Sequence, residues 1–502
     1  MKKKIGAILA AGIMACTMTA GVALTSGCGA VKPDFNMPEE GFNTDKNVTI
    51  TFYHTMNQYL REVLDNYIAE FNKLYPNITV NHSQIGGYND VKEQIEDEIL
   101  AGTQPNIAYC YPDHVATFNR AGAVQSLNDF LSNGALNDWT VTQVKVDEYG
   151  EVEYDDNGDA LTVQVPLNFT ADEEDKFIEA YFNEGYGFDD GSKMYTLPFA
   201  KSTEVLYYNK TFFDDHKLKV PTTWNEMEKV CEEIKKIDSN CWPFGYDSEA
   251  NWFITMCEQY GSGYTSLTGN KYRFNNDTNK EFVKKFKGWY DKGYFTTQEI
   301  YGSYTSDLFV ETSGKKIYMC IGSSAGASNQ IPEPVDDVYP FEVDIAPIPQ
   351  VHSTVEGHAD YKAGYQAKVI SQGPSVCIFK QDDPQEVLAS WLFLKYLTTN
   401  IAFQAEFSAA SGYVPVLNLE TMRTNAGYAR KLDNANGYAN LTALSAKVCM
   451  GQTDTFYTSP AFVGSSKARE EVGLLMQNVF VGPTSIEQAF REALEECEYY
   501  NK

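Results

Sequence analysis

Between residues 48 and 110 the hydrophobic pattern alternates between period two and period 3.6, and each change falls at a residue that stops the element before it. VTITFYHT sets Val48, Ile50 and Phe52 on one face, the pattern of a half-buried strand. Leu60, Val63, Leu64, Tyr67, Ile68, Phe71 and Leu74 then recur at helical spacing until Pro76 closes the run. Ile78 and Val80 mark a second strand. A Gly86-Gly87 loop leads into a helix carrying Val91, Ile95 and Ile99, which Gly102 stops. Pro105 to Cys110 reads as a third strand. Strand–helix repeats of this length build a parallel, doubly wound sheet.

The pattern resumes further on. YTLPFAKSTEVLYYNK is extended, and PTTWNEMEKVCEEIKK is a helix with a capping box expected from Thr223 to Glu226. Asp383, Pro384 and Glu386 open a helix whose Val387, Leu388, Trp391, Leu392 and Leu397 face inward. Ser485 and Gln488 open the last one. Residues 140–192 break the rhythm: VEYDDNGDALTVQV is a hairpin with Asn157-Gly158 placed for a type I′ turn. Asp155, Asn157 and Asp159 are spaced like the start of a calcium loop, but Ala160 and Pro166 stand where its Gly and distal Glu belong. A solvated turn is expected there, and no metal site. At 502 residues, two domains are expected.

The N-terminus sets the compartment. Lys2, Lys3 and Lys4 precede an apolar and small-residue stretch that ends in Leu24-Thr25-Ser26-Gly27-Cys28, a lipobox-like site. The expectation is a signal peptide over 1–27, lipidation of Cys28, and a tether over 28–45. Apart from Cys16 and Cys28, eight cysteines remain, with no C-x-x-C pair. Most sit in apolar contexts and read as reduced core residues, although the even count leaves disulfides open. A net charge of −28 disfavours nucleic acid and anionic lipid as partners. No phosphate loop or H-E-x-x-H motif is present, so neither a cofactor nor catalysis is indicated. A glycosidase would need two opposed carboxylates, and 68 acidic residues leave that open.

Several segments, taken in order, carry a resemblance. They are ITFYHT, EFNKLYPNITV, ILAGTQPNIAYCYPDHV, YTLPFAKSTEVLYYNK with KVPTTWNEM, GKKIYMCIGSSAG, and PSVCIFKQDDPQEVLASWLFLKYLT with SGYVPV. Together they resemble the maltose-type extracellular solute-binding family over about residues 46–500. The resemblance implies an α/β fold of two lobes, periplasmic-binding-protein-like, with three inter-lobe crossings and a ligand cleft between the lobes. Lobe one would hold 46–198 and 373–412, and lobe two 199–372 and 413–502. It also implies a monomer that hands a carbohydrate to ABC permease subunits at the outer face of the cell membrane.

Ligands of doubly wound sheets sit at the carboxyl ends of strands, which draws attention to Tyr53, His54, Tyr88 and Asp113. Sugars need acceptors for their hydroxyls and an aromatic face for their C–H surface. Asp113 is the foremost lobe-one acceptor, or else a helix cap. By resemblance, Asn251, Trp252 and Phe253 form a second-lobe ligand segment, with Trp252 either stacking on sugar or filling core. Ser323 and Ser324 stand where relatives often carry an aromatic, and Ser202 where some carry a ligand-binding acid. Tyr413, Phe456 and Tyr457 complete the expected wall. The alternatives are the same fold binding a polyamine, an iron chelate or a peptide, a receptor-coupled sensor, and a secreted glycoside hydrolase.

Overall fold

The computed structural model describes residues 32–188, 190–435 and 440–500. Cys28 and the segment assigned to the signal peptide lie outside the described residues.

Two sheets, each with its own apolar core, divide the chain. The first has the spatial order Ile78–Gln84, Val48–His54, Ile107–Cys110, Ser375–Ile378, Leu197–Pro198. Its opening three strands run parallel, in the register Val48↔Ile78 and Phe52↔Ile107. The helix between the first two, Gln58–Leu74, is capped by Asn57, whose side chain accepts from Leu60 N, and buries Leu60, Val63, Leu64, Ile68 and Phe71. The fourth strand returns antiparallel from much later in the chain, pairing Cys377 with Ala108. Trp391, on the Pro384–Thr399 helix, stacks on Phe130 at 4.8 Å and donates its indole N–H to Leu167 O at 2.7 Å.

The second sheet runs Phe456–Tyr457, Val369–Gln372, Ser202–Asn209, Met319–Ser323, Phe244–Tyr246, Phe295–Thr297, with Val343–Pro347 also paired to Ser202–Asn209. The chain passes between the sheets at three neighbouring points. Lys201 bridges Val414, with Val414 N donating to Lys201 O at 2.7 Å, and Ala200 N donates to Pro374 O at 3.2 Å. Gly373 makes this approach possible: its φ is +88°, and a Cβ there would meet Ala200 O at 2.3 Å.

Four local expectations need correction. Residues 32–45 are not a free tether. Phe35 packs on Phe130 with ring centroids 5.4 Å apart, Phe42 is buried, and Gln385 donates to Gly41 O at 2.8 Å. Apolar side chains without periodicity can still dock on a neighbouring core. Second, Val416, Leu417, Met422, Tyr428 and Leu432 pack into the first core, although they follow the third crossing. Third, only half of the capping box forms: Thr223 Oγ1 accepts from Glu226 N, but the Glu226 carboxylate reaches Thr222 N at 2.9 Å rather than Thr223 N.

The fourth concerns the 140–192 insertion. Thr140–Val144 pairs with Thr162–Pro166, and the bridges Val146↔Val152 and Tyr154↔Ala160 extend the ribbon through two turns. At Asn157-Gly158 only Gly158 has positive φ, so the turn is a type I turn followed by a left-handed glycine, not type I′. Asp155 Oδ1 accepts from Asn157 N and Asp159 N, which turns that carboxylate onto its own loop and holds it below the usual carboxylate range. The eight cysteines from Cys110 to Cys497 are buried, and none of them is in a disulfide among the described residues. Desolvation pushes thiols such as Cys231 and Cys257 well above their ordinary range.

Candidate functional site

A cavity of about 170 Å³ lies where the crossings meet the facing edges of the two sheets. From the first-sheet side Tyr111, Asp113 and Glu184 line it. Lys201 and Gly373 line it from the crossings, and Asn251, Tyr264, Thr458 and Arg469 from the second-sheet side. A wider cavity of about 540 Å³ shares Tyr111, Asp113 and Arg469 and continues past His114, Glu249 and Glu299.

The floor is an ion pair out of reach of solvent. Lys201 Nζ lies 2.7 Å from Glu184 Oε1, with side chains 1% and 2% exposed. A buried pair survives only when its remaining valences are met, and here they are. Lys201 also donates to Gly373 O at 3.2 Å, while Ser375, Ser371 and Thr458 hydroxyls donate to Glu184 at 3.2, 3.1 and 3.1 Å. One carboxylate thus ties together the insertion, the second crossing and a late loop. Neither residue carried a local sequence signal, since their pairing spans the 140–192 insertion and the first crossing.

Asp113 is where strand-end reasoning expected it, in the first turn of the Pro112–Arg120 helix, accepting from His114 N at 3.1 Å while facing the cavity. Beside it Tyr111 lies on Tyr88, centroids 4.5 Å apart at 37°, and the phenols of Tyr88 and Tyr413 are neighbours. Burial raises all three phenols above their ordinary range. Tyr88 and Tyr413 therefore back the cavity through Tyr111, a residue the sequence reading passed over between Cys110 and Pro112.

From the other side, Asn251 projects from the first turn of the Glu249–Tyr260 helix, whose N-cap is Ser248, and accepts an N–H from Arg469. Its two neighbours do not follow it. Successive helical residues are turned by about 100°, so Trp252 and Phe253 point away from the cleft. Trp252 is 0% exposed and stacks on Tyr246 at 4.8 Å and 10°, and Phe253 packs on Phe282 at 5.2 Å. Both are core residues, which corrects the expectation of a stacking platform.

The remaining expected residues also serve the fold. His54 is buried. Its Nδ1 accepts from Met56 N, so its Nε2–H donates to His82 Nδ1 at 2.8 Å, and His82 in turn faces Asp65. Burial holds the His54 pKa down at about 3, so the ring is neutral. Tyr53 turns to the opposite face, donating to Glu98 at 3.2 Å. Ser202 accepts from Ser323 Oγ at 3.2 Å, and Ser324 Oγ accepts from Thr203 N at 3.2 Å. These three serines fasten the first crossing rather than line the cavity. Phe456 stacks on Tyr181 at 5.3 Å, and burial beside Glu258 raises the Tyr457 phenol above its ordinary range. The lining is supplied by the next residue, Thr458. Arg469 and Tyr264 went unread because the SPAFVGSSKAR and GSGYTS segments carry no motif.

A family model described as bacterial extracellular solute-binding protein matches residues 66–426. A multiple sugar-binding protein of Streptococcus mutans serotype c is 36% identical over 78 residues, 16% of this chain and 18% of that protein. A binding protein of Brucella abortus (strain 2308) is 24% identical over 328 residues, 63% of this chain and 70% of its own. The first of these is thus matched over under a fifth of its length. In fold, the chain is similar to a Mycobacterium tuberculosis protein crystallised with glycerophosphocholine, at TM-score 0.66 and 14% identity, covering 90% of this chain and 98% of that one. It is also similar to a Listeria monocytogenes ABC substrate-binding protein in complex with cycloalternan, at 0.65, 16%, 90% and 99%. With the family model spanning most of its length, the two-lobed chain belongs to the bacterial extracellular solute-binding protein family.

Proposed function

We propose that this protein is the lipid-anchored binding component of an ABC importer, capturing a carbohydrate by closure of its lobes and releasing it unaltered to permease subunits. The observation that carries this reading is a cavity lined from both lobes by hydroxyl-pairing groups, Asp113 against Asn251 and Arg469, beside a tyrosine wall. A ligand that touches both sides stabilises the shut arrangement over the open one. Lobe one is taken as 46–198 with 373–433, and lobe two as 199–372 with the residues from 440 onward. The relatives named for multiple sugars and bound to cycloalternan favour a saccharide.

Binding without turnover accords with the carboxylates at hand. A glycosidase needs two carboxyl groups free to exchange protons or attack. Of the two that line the cavity, Glu184 is held by Lys201 and three hydroxyls. Cys28 is the expected anchor, and Cys28→Ser should release the protein into the medium or leave an uncleaved precursor. Normal processing with full membrane retention would remove the anchor from the proposal.

Thermal-shift screening against mono- and oligosaccharides tests the central claim. A sugar at a hundred times its Kd stabilises by ~2.7 kcal/mol, an easily read rise in Tm. A flat response to every sugar, with a rise for a polyamine or peptide, would overturn the carbohydrate assignment.

A further inference from the structure

The Ser465–Val481 helix begins in the cavity: Ser465 and, one turn on, Arg469 both line it. No side chain caps that terminus, and Gly464 before it is left-handed at φ +99°. Ser465 N donates back to Phe462 O, and the helix dipole favours negative charge at this terminus. Arg469 donates one N–H to Asn251 and, among the described residues, forms no ion pair with any acid. Glu204, which adjoins Asn251, accepts from Tyr246 OH at 2.5 Å, and burial pushes that carboxyl up to about 8. Facing the same space, Tyr264 is 1% exposed and its hydroxyl has no hydrogen-bond partner. A buried hydroxyl without a partner is costly, and an acceptor entering the cavity relieves that cost.

We propose that this corner of the cavity binds an anionic group of an acidic carbohydrate, a carboxylate or phosphate, between Arg469, the Tyr264 hydroxyl and the first turn of the Ser465–Val481 helix. The inference rests on the carbohydrate reading and narrows its ligand class. Arg469 offers the planar, paired donors that such groups prefer. The two acids of the cavity do not oppose this placement. Glu184 is already balanced by Lys201, and Asp113 comes from the other lobe, where it accepts hydroxyls from the ring that carries the anion. The net charge of −28 works against anions at a distance, so the preference is held by these short contacts.

Isothermal titration of oligogalacturonides, their carboxyl-reduced neutral counterparts and an oligosaccharide phosphate tests it, using wild type, Arg469→Gln and Tyr264→Phe. Wild type should bind an acidic ligand at least tenfold more tightly than its neutral counterpart, and the uronide and phosphate arms identify the anion. Arg469→Gln should erase that ratio, lowering affinity for the acidic ligand at least tenfold more than for its neutral counterpart. Tyr264→Phe, which keeps the ring, should reduce the ratio severalfold. Equal affinity for charged and neutral forms, or equal losses for both in Arg469→Gln, would overturn this inference and leave the carbohydrate reading intact. Failure of every saccharide to bind would remove both.

Discussion

Trp252 and Tyr111 both stand in aromatic clusters flanking the cleft, and the two clusters have opposite characters. Around Trp252 gather Trp224, Tyr246, Phe286 and Phe295, all buried, with ring centroids between 4.3 and 5.9 Å from it. The Trp252 indole N–H has no hydrogen-bond partner. Around Tyr111 stand Tyr88 and Tyr413, half-buried and with neighbouring phenols. One cluster packs on a face of the second sheet, and the other stands beyond the strand ends of the first. Aromatic content therefore says little about role here, and backbone position says a good deal.

Truncating each cluster at its centre is the sharpest way to test that contrast. Trp252→Ala should lose ~3–5 kcal/mol of folding stability, the range for a fully buried tryptophan, with ligand affinity of the folded fraction within about threefold. Tyr111→Ala should lose nearer ~1 kcal/mol. Denaturant midpoints for the two variants decide the matter. Equal midpoints, or a Trp252→Ala protein of normal stability that no longer binds, would return Trp252 to the cleft.

The same contrast explains what the sequence made legible. Strand–helix alternation over Val48–Cys110 put Asp113 at a strand end, and there the cavity finds it. The NWF tripeptide could not be split, because a helix sends adjacent residues to different faces, and only the docked orientation tells which one meets the cleft. Glu184, Lys201 and Thr458 were unreadable for a different reason. Their roles arise from pairings between segments separated by 17 to 274 positions, which no local pattern encodes. Residues 416–432 were misplaced similarly, since a crossing at residue 413 does not say which core the next helices join.

Glu204 marks the seam between the clusters. Tyr246 stacks on Trp252 and donates its hydroxyl to Glu204, which in turn adjoins Asn251. Burial raises the Glu204 pKa from 4.5 to about 8. Below pH 4.5 the group is protonated in both states and has no effect on folding. Between the two values the unfolded chain ionises while the folded one keeps its proton, so stability falls as pH rises, and the loss is complete above about 8. Going from pH 5 to 7.5, wild type should lose ~2–3 kcal/mol through this group. Glu204→Gln, which still accepts from Tyr246, should be spared that loss. Urea melts at the two pH values, run on both proteins, measure the difference. Parallel pH profiles would mean Glu204 is ionised in the fold and that the core cluster has a charged exit to the cleft.

The smallest expected effect lies in the tyrosine wall, and it bears most directly on what the wall is for. If Tyr111 offers its ring to a sugar, a stacked face contributes ~0.5–1.5 kcal/mol beyond its buried area. Tyr111→Ala should then weaken binding about tenfold, since ~1.4 kcal/mol is one decade. Tyr111→Phe keeps the ring and should stay within about twofold. If instead the phenol hydroxyl makes the contact, the Phe variant should fall as far as the Ala variant. Titrating both variants with the tightest-binding saccharide separates the two. Tyr88 supplies an internal control, because it lies on Tyr111 at 4.5 Å without lining the cavity. Truncating Tyr88 should therefore lower affinity less than truncating Tyr111. The reverse order would show that the wall works by holding the Pro112–Arg120 helix, and with it Asp113, in place rather than by touching the ligand.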